Sequence, residues 1–166
     1  MCLSVMSCSL SGKKPPEKQY HRFVESALRF STEKNLQVKR PSALGILGNR
    51  PMVVHNQEGA LVQMQHNFWL ESPKVLLNNH LQKVFDQSQI KDDTWVLETQ
   101  ILALEKQQQT AIVAIRFSVY DPYRKSMFDK TYRLKQSLDE NSIAAFVQSV
   151  SLMIADITQQ LLGDLP

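Results

Sequence analysis

Apolar positions along this chain change their period twice. Between residues 20 and 65 they fall in short β-prone runs, at residues 20–24, 35–39, 51–55 and 60–65, separated by segments rich in turn formers. Asn56-Gln57-Glu58-Gly59, between the last two runs, carries hairpin-turn chemistry, and Pro51 sits where a strand can begin without its donor. The period then becomes helical. Ser72-Pro73 offers an N-cap residue followed by proline at the first helical position, and Leu77, Leu81, Val84 and Phe85 recur at helical spacing, which predicts a helix over residues 73–86. From Thr94 the period drops to two. Trp95, Leu97, Thr99 and Ile101 alternate on one strand, Ala111, Val113, Ile115, Phe117 and Val119 on a second, and Phe128, Lys130, Tyr132 and Leu134 on a third. Short connections at residues 106–109 and 121–125 make these strands an antiparallel meander. At the end of the chain, Ser137-Leu138-Asp139-Glu140 has a capping-box pattern. Ile143, Phe146, Val147, Val150, Ile154, Ile157 and Leu161 then form a helical apolar stripe, which Gly163 is expected to end.

Strands, helix, three strands, helix is the order of an α+β two-layer sandwich, a mainly antiparallel sheet with two helices packed on one face, rather than of alternating βαβ units. Residues 19–166 read as one such domain; residues 1–18, in which Val5-Met6-Ser7-Cys8 resembles a bacterial lipobox, read as a truncated lipoprotein signal with a flexible tether.

Composition narrows the function more than the fold. The chain has 166 residues, enough for one core that buries roughly 70% of the unfolded surface. Its net charge of +3 and pI near 8.9 are mildly basic, and the lysines and arginines are spread along the chain rather than clustered among aromatics, so a nucleic-acid partner is not implied. No apolar run reaches the roughly 18 residues of a membrane-spanning helix. Both cysteines, Cys2 and Cys8, precede the folded body, which therefore needs no disulfide and has no thiolate metal site.

The least ordinary writing is at residues 40–54, where Arg40-Pro41 and Arg50-Pro51 bracket Gly45 and Gly48. The prolines push their predecessors toward extended geometry and the glycines admit unusual backbone angles, so the segment reads as an irregular, tightly specified connection between strands. It is no phosphate cradle: Gly-Lys-Ser/Thr is missing, and Pro51-Met52-Val53-Val54 continues as strand rather than as a helix whose N-terminus could hold an anion. The four histidines show no metal-ligand spacing, and no Gly-x-Ser-x-Gly elbow is present. Asp92-Asp93 and Asp139-Glu140 stand where turns and helix starts favour acidic residues. Catalytic residues, metal ligands and cofactors are thus not expected. Tyr120-Asp121-Pro122-Tyr123-Arg124-Lys125 is explained by turn propensity and solvation, and equally suits an interface anchor. Val5-Met6-Ser7-Cys8 resembles a bacterial lipobox, followed by a polar, proline-containing spacer. Taken alone, it is also compatible with a terminus carrying two incidental thiols or a short loop between them.

Several of these features recur in a known order. The Ser-Cys-Ser start, Tyr20-His21-Arg22-Phe23, Val38-Lys39-Arg40-Pro41 leading to Leu44-Gly45, Asn49-Arg50-Pro51-Met52-Val53, and Phe68-Trp69-Leu70-Glu71-Ser72-Pro73 together resemble the ABC-type transport auxiliary lipoproteins, the paraquat-inducible protein C-like group. The resemblance runs from Cys8 through the last helix. It implies a non-enzymatic lipoprotein facing the periplasm, usually of the outer membrane. Such a protein works with MCE-domain proteins and ABC transporter components that move lipids or other hydrophobic compounds between membranes. It also implies acylation of Cys8 and a membrane anchor through that lipid, and Ser9 in place of aspartate fits sorting to the outer membrane. Homo-oligomer formation is left open. Arg40, Arg50, Trp69, Tyr123 and Arg124 are the expected partner surface. The competing expectations are a soluble periplasmic or cytosolic module that binds a small ligand or protein, and a hydrolase whose site is assembled from scattered residues.

Overall fold

The computed structural model describes residues 16–25, 36–85 and 94–165; Cys2, Cys8, Asn35, Asp86 and Asp92-Asp93 lie outside them. The strands are β1 (Gln19–His21), β2 (Leu36–Val38), β3 (Ser42–Ala43), β4 (Pro51–His55), β5 (Leu61–Trp69), β6 (Trp95–Gln107), β7 (Thr110–Tyr120) and β8 (Ser126–Ser137); the helices are α1 (Pro73–Val84) and α2 (Ile143–Asp164). They form an α+β structure in which one sheet has the strand order β1-β5-β4-β6-β7-β8. The expected meander β6-β7-β8 is its antiparallel half. The expected hairpin joins β4 and β5, with the Asn56 side-chain carbonyl accepting from the amides of Glu58 and Ala60 and Gly59 at φ 82°.

Residues 36–55 do more than connect strands. β2, β3 and β4 lie one after another along the same flank of β6, all parallel to it: Val38 pairs with Leu97, Ser42 with Gln100, and Val53 with Glu105. Between the paired segments the Lys39 and Leu44 amides donate to the carbonyls of Leu97 (2.9 Å) and Ile101 (3.1 Å), so the flank stays bonded across its interruptions. Pro41 and a 3-10 turn at Gly45–Gly48 make those interruptions, and Gly45 takes φ 47°, where a side chain would be strained.

Alternation along β6 holds to Ile101, then slips. A bulge between Ile101 and Ala103 adds one residue against β7, so Leu104 returns to the face of Leu97 and Ile101. On that face β6 packs with Val113, Ile115 and Phe117 of β7, and Leu77 and Leu81 of α1 and Phe146, Val150, Ile154 and Ile157 of α2 close over them. The opposite face holds a small apolar island of Ala103, Ile112 and Ala114 among polar neighbours.

Three sequence expectations are corrected here. Trp69 is not exposed on the expected partner surface: β5 runs to it, and the indole is buried at 1% exposure, edge-on to Phe23 (5.4 Å between ring centres) and near Phe146. Ser137 does not cap the last helix, because β8 keeps it paired with Thr110 and the next residue, Leu138, is buried with its amide on the Gln109 carbonyl. The cap is Ser142, whose hydroxyl accepts from the Ala145 amide at 3.1 Å. Gly163 does not stop the helix either, since α2 continues through it to Asp164.

Two hydroxyls on the buried stripe of α2 tie other elements to it. Ser151 donates to the Val147 carbonyl (2.7 Å) and accepts from the Val24 amide (2.9 Å). Thr158 donates to the Ile154 carbonyl (2.8 Å), so its oxygen is left to accept from Nε2 of His80 on α1 at 2.9 Å, which fixes the Nε2–H tautomer of that imidazole. His80 is buried, and burial followed by the charge of Lys83 lowers its pKa from 6.5 to about 4.

The packing sets three expectations. Trp69→Ala lowers unfolding free energy by about 3–5 kcal/mol in denaturant titration. Gly45→Ala lowers it by about 1 kcal/mol, whereas Gly163→Ala, in a helical turn with open space around it, raises it by up to about 1 kcal/mol. His80 refuses a proton that the unfolded chain binds below 6.5, so its stabilising contribution is complete above that pH and declines as pH falls toward 4. The loss is about 3 kcal/mol at full extent. The difference between wild type and His80→Gln in stability against pH isolates it, and equal slopes for the two proteins between 6.5 and 4 would refute it.

Candidate partner surface

The turn between β7 and β8 is locked by one carboxylate. Oδ1 of Asp121 accepts from the amides of Tyr123 (2.9 Å) and Lys125 (2.8 Å), and the Asp121 amide donates to the Lys125 carbonyl. This holds Arg124 at φ 65° and projects Tyr123 at 91% exposure. The Arg124 guanidinium reaches Glu98 of β6 at 3.6 Å. The tip is therefore preorganised and presents a bare aromatic ring, the combination that a contact anchor requires.

Arg50 belongs to a different patch. Its guanidinium lies 5.2 Å from the Tyr20 ring, Tyr20 lies 5.6 Å from Phe68, and Lys18 lies 5.4 Å from Phe68, so two neighbouring rings on β1 and β5 are flanked by cations from the residues just before β1 and β4. Tyr20 is half exposed. Arg50 is held in place by Trp69: the indole residue's amide donates to the Arg50 carbonyl (2.7 Å) and Nε of Arg50 donates to the Trp69 carbonyl (3.2 Å). Trp69 thus supports the patch from inside and cannot itself be a contact. Arg40 is exposed between β2 and β3, at the end of the sheet where Arg124 meets Glu98, but on the other flank of β6. Of the five expected surface residues, four are exposed, and they divide between the Arg50 ledge and that end of the sheet.

Two concavities accompany these patches. A cleft of about 380 Å³ lies beside α1, lined by Phe23, Leu70 and Leu76 together with Arg22, Glu71, His80 and Lys83. A polar hollow of about 240 Å³ on the face away from the helices includes Ser42, Gln100, Arg116 and Ser118. Its strongest charge is already answered: Arg116 donates to Asp129 through Nε (3.0 Å) and Nη2 (2.6 Å), and Ser118 donates to the same carboxylate. The Arg116 hydrogen bond holds the Asp129 carboxyl below its usual range. Among the described residues no three His, Cys, Asp or Glu side chains converge as a metal site, and no helix is long and apolar enough to cross a membrane.

Sequence reasoning missed Tyr20 and Phe68 as partners of Arg50, since pairing across β1 and β5 is set by the fold. It also missed Ser151 and Thr158. Their signal was present, as two hydroxyl residues one heptad apart on an otherwise apolar stripe.

The architecture is shared with solved structures of low sequence identity. One, described as an uncharacterized protein, superposes with a TM-score of 0.75 at 13% identity, covering 89% of this chain and 98% of that one. Protein XCC0632 from Xanthomonas campestris superposes with a TM-score of 0.74 at 15% identity, covering 87% and 93%. These likenesses concern the fold. A search of curated proteins gives no significant match. The sequence itself matches the profile of one family over residues 25–161, most of its length, and by that match the chain belongs to the ABC-type transport auxiliary lipoprotein component family.

Proposed function

We propose that this chain is a non-enzymatic lipoprotein subunit of an ABC/MCE-type system that moves lipids or other hydrophobic compounds between membranes. In this reading acylated Cys8 holds the folded body at the outer membrane, facing the periplasm, and the body docks on protein partners through its surface. The family match over residues 25–161 carries the reading. The locked turn bearing Tyr123 supports it, because a rigid, exposed aromatic beside a cation suits docking. The shifted titrations also have structural causes, His80 through burial and Asp129 through Arg116. The cleft beside Phe23, lined by both apolar and charged side chains, favours a second reading, a soluble module that holds a small ligand between helix and sheet.

Radioactive palmitate separates the two. The lipoprotein reading expects label in the protein and none after Cys8→Ala; a soluble module incorporates none. For docking, co-purification from envelope extracts should recover an MCE-domain protein or an ABC transporter component, and Tyr123→Ala should weaken that recovery by about tenfold without changing the melting temperature. Recovery of no envelope partner by the labelled, anchored protein would overturn the docking part.

A further inference from the structure

Among the described strands, β8 has one neighbour. β7 covers one of its edges over the whole strand, and the other edge presents backbone donors and acceptors from the end of the sheet. A bulge at its start, between the pairs Val119/Phe128 and Tyr120/Ser126, leaves residues 128–137 in unbroken register. Such an edge is a template for another strand unless its side chains forbid pairing.

The side chains of residues 128–134, Phe-Asp-Lys-Thr-Tyr-Arg-Leu, are self-complementary about Thr131. Two copies of β8 meeting antiparallel on a two-fold axis through Thr131 set Phe128 opposite Leu134, Asp129 opposite Arg133 and Lys130 opposite Tyr132. Every pair occurs twice, and opposed residues share a face of the sheet. On the helix side the first pair joins two half-buried apolar residues that already pack on the core. Lys130 lies 4.9 Å from the ring of its own Tyr132, which is buried, and both bond Asp164, so this pair is satisfied within each copy and sets no charge against a like charge. On the other side, Arg133 of the second copy approaches an Asp129 whose carboxylate is held ionised by Arg116. Other centres are worse. Two-fold axes at Asp129, Lys130 or Arg133 put like charges face to face, and one at Tyr132 sets Lys130 against Leu134 and Phe128 against Gln136. Charges that only guard an edge would gain nothing from this order. Lys130, Arg133 and Lys135 would repel an approaching strand equally well in any arrangement.

We infer that the protein associates with a second copy of itself through β8, antiparallel and centred on Thr131, so that two sheets become one. The inference does not rest on the transport reading, since its partner is a second copy of this chain and its contacts are the edge of β8 beyond the Tyr123 turn.

The test uses the full chain with Cys2→Ser and Cys8→Ser. Thr131→Cys places two thiols on the axis, where opposed Cβ atoms are about 4.5–5.5 Å apart, and mild oxidation should give a covalent dimer at twice the 19.0 kDa of the chain. Lys135→Cys, displaced by eight positions from its own counterpart and hence about 27 Å from it, should give none. Arg133→Glu faces Asp129 with a like charge at both symmetric positions and should weaken association in sedimentation equilibrium by about tenfold or more, while leaving the melting temperature of the monomer unchanged. A wild type that sediments as a monomer at high concentration overturns the inference. So does cross-linking of Lys135→Cys as readily as Thr131→Cys, or association of Arg133→Glu equal to wild type.

Discussion

Strand β6 has both of its edges occupied, and the rest of the molecule follows from how. β7 takes one edge by an antiparallel ladder over nearly the whole strand. The other edge is too long for any one partner the chain supplies, and β2, β3 and β4 share it in succession. A central strand cannot leave backbone groups unpaired beneath two helices, so the chain between β2 and β4 must follow β6 closely while still shedding Pro41, whose nitrogen cannot donate. The 3-10 turn at Gly45–Gly48 is the local solution: it lifts the chain off the ladder, which resumes at Val53 opposite Glu105. The two Arg-Pro pairs therefore mark the seams of one stitched flank.

That flank decides what reaches the surface. Starting β4 against the end of β5 puts the Arg50 carbonyl on the Trp69 amide, so the buried indole and the exposed guanidinium belong to one unit, and the Tyr20 and Phe68 rings gather on it. On the other side of β6, the β7–β8 turn of the meander has its geometry imposed by Asp121, and Tyr123 is carried outward on it. Under the sheet, Ser151 and Thr158 give α2 directional ties to the Val24 amide and to His80 in a contact that is otherwise apolar. Directional bonds of this kind fix the rotation of one element against another, which apolar area alone does not. The result is a body whose exposed features are displayed by a rigid interior.

Much of this was legible in the sequence wherever the interaction is local. The period of two in β6, β7 and β8, the short turns between them, Ser72-Pro73 and the Asn56 hairpin each depend on neighbours within a few residues, and each is found close to where the pattern placed it. The family features were legible for the same reason, since proline and glycine act as local constraints on the backbone. What escaped is long-range. Nothing near residues 36–55 states that they run parallel to a strand beginning at Trp95, because parallel pairing needs no turn to announce it. Nothing local announces the burial of Trp69, expected on the partner surface: β5 extends to that point and delivers the ring to the core. The capping-box pattern at Ser137 was overridden by the β7 ladder, which holds that residue until its pair with Thr110 is made. In the candidate surface, exposure of Arg40, Arg50, Tyr123 and Arg124 followed from their chemistry, whereas their division between two patches is a property of the strand order.

The central claim is that residues 40–54 are a bonded flank of β6 and not a ligand-shaped loop, and amide hydrogen exchange reads this directly. The amides of Lys39 and Leu44, which donate to Leu97 and Ile101, should exchange as slowly as amides in the β6-β7 ladder, with no dependence on added phosphate or nucleotide. Exchange of those two amides near the rate of an unfolded chain while β7 stays protected, or protection that arises only when such a ligand is added, would contradict it.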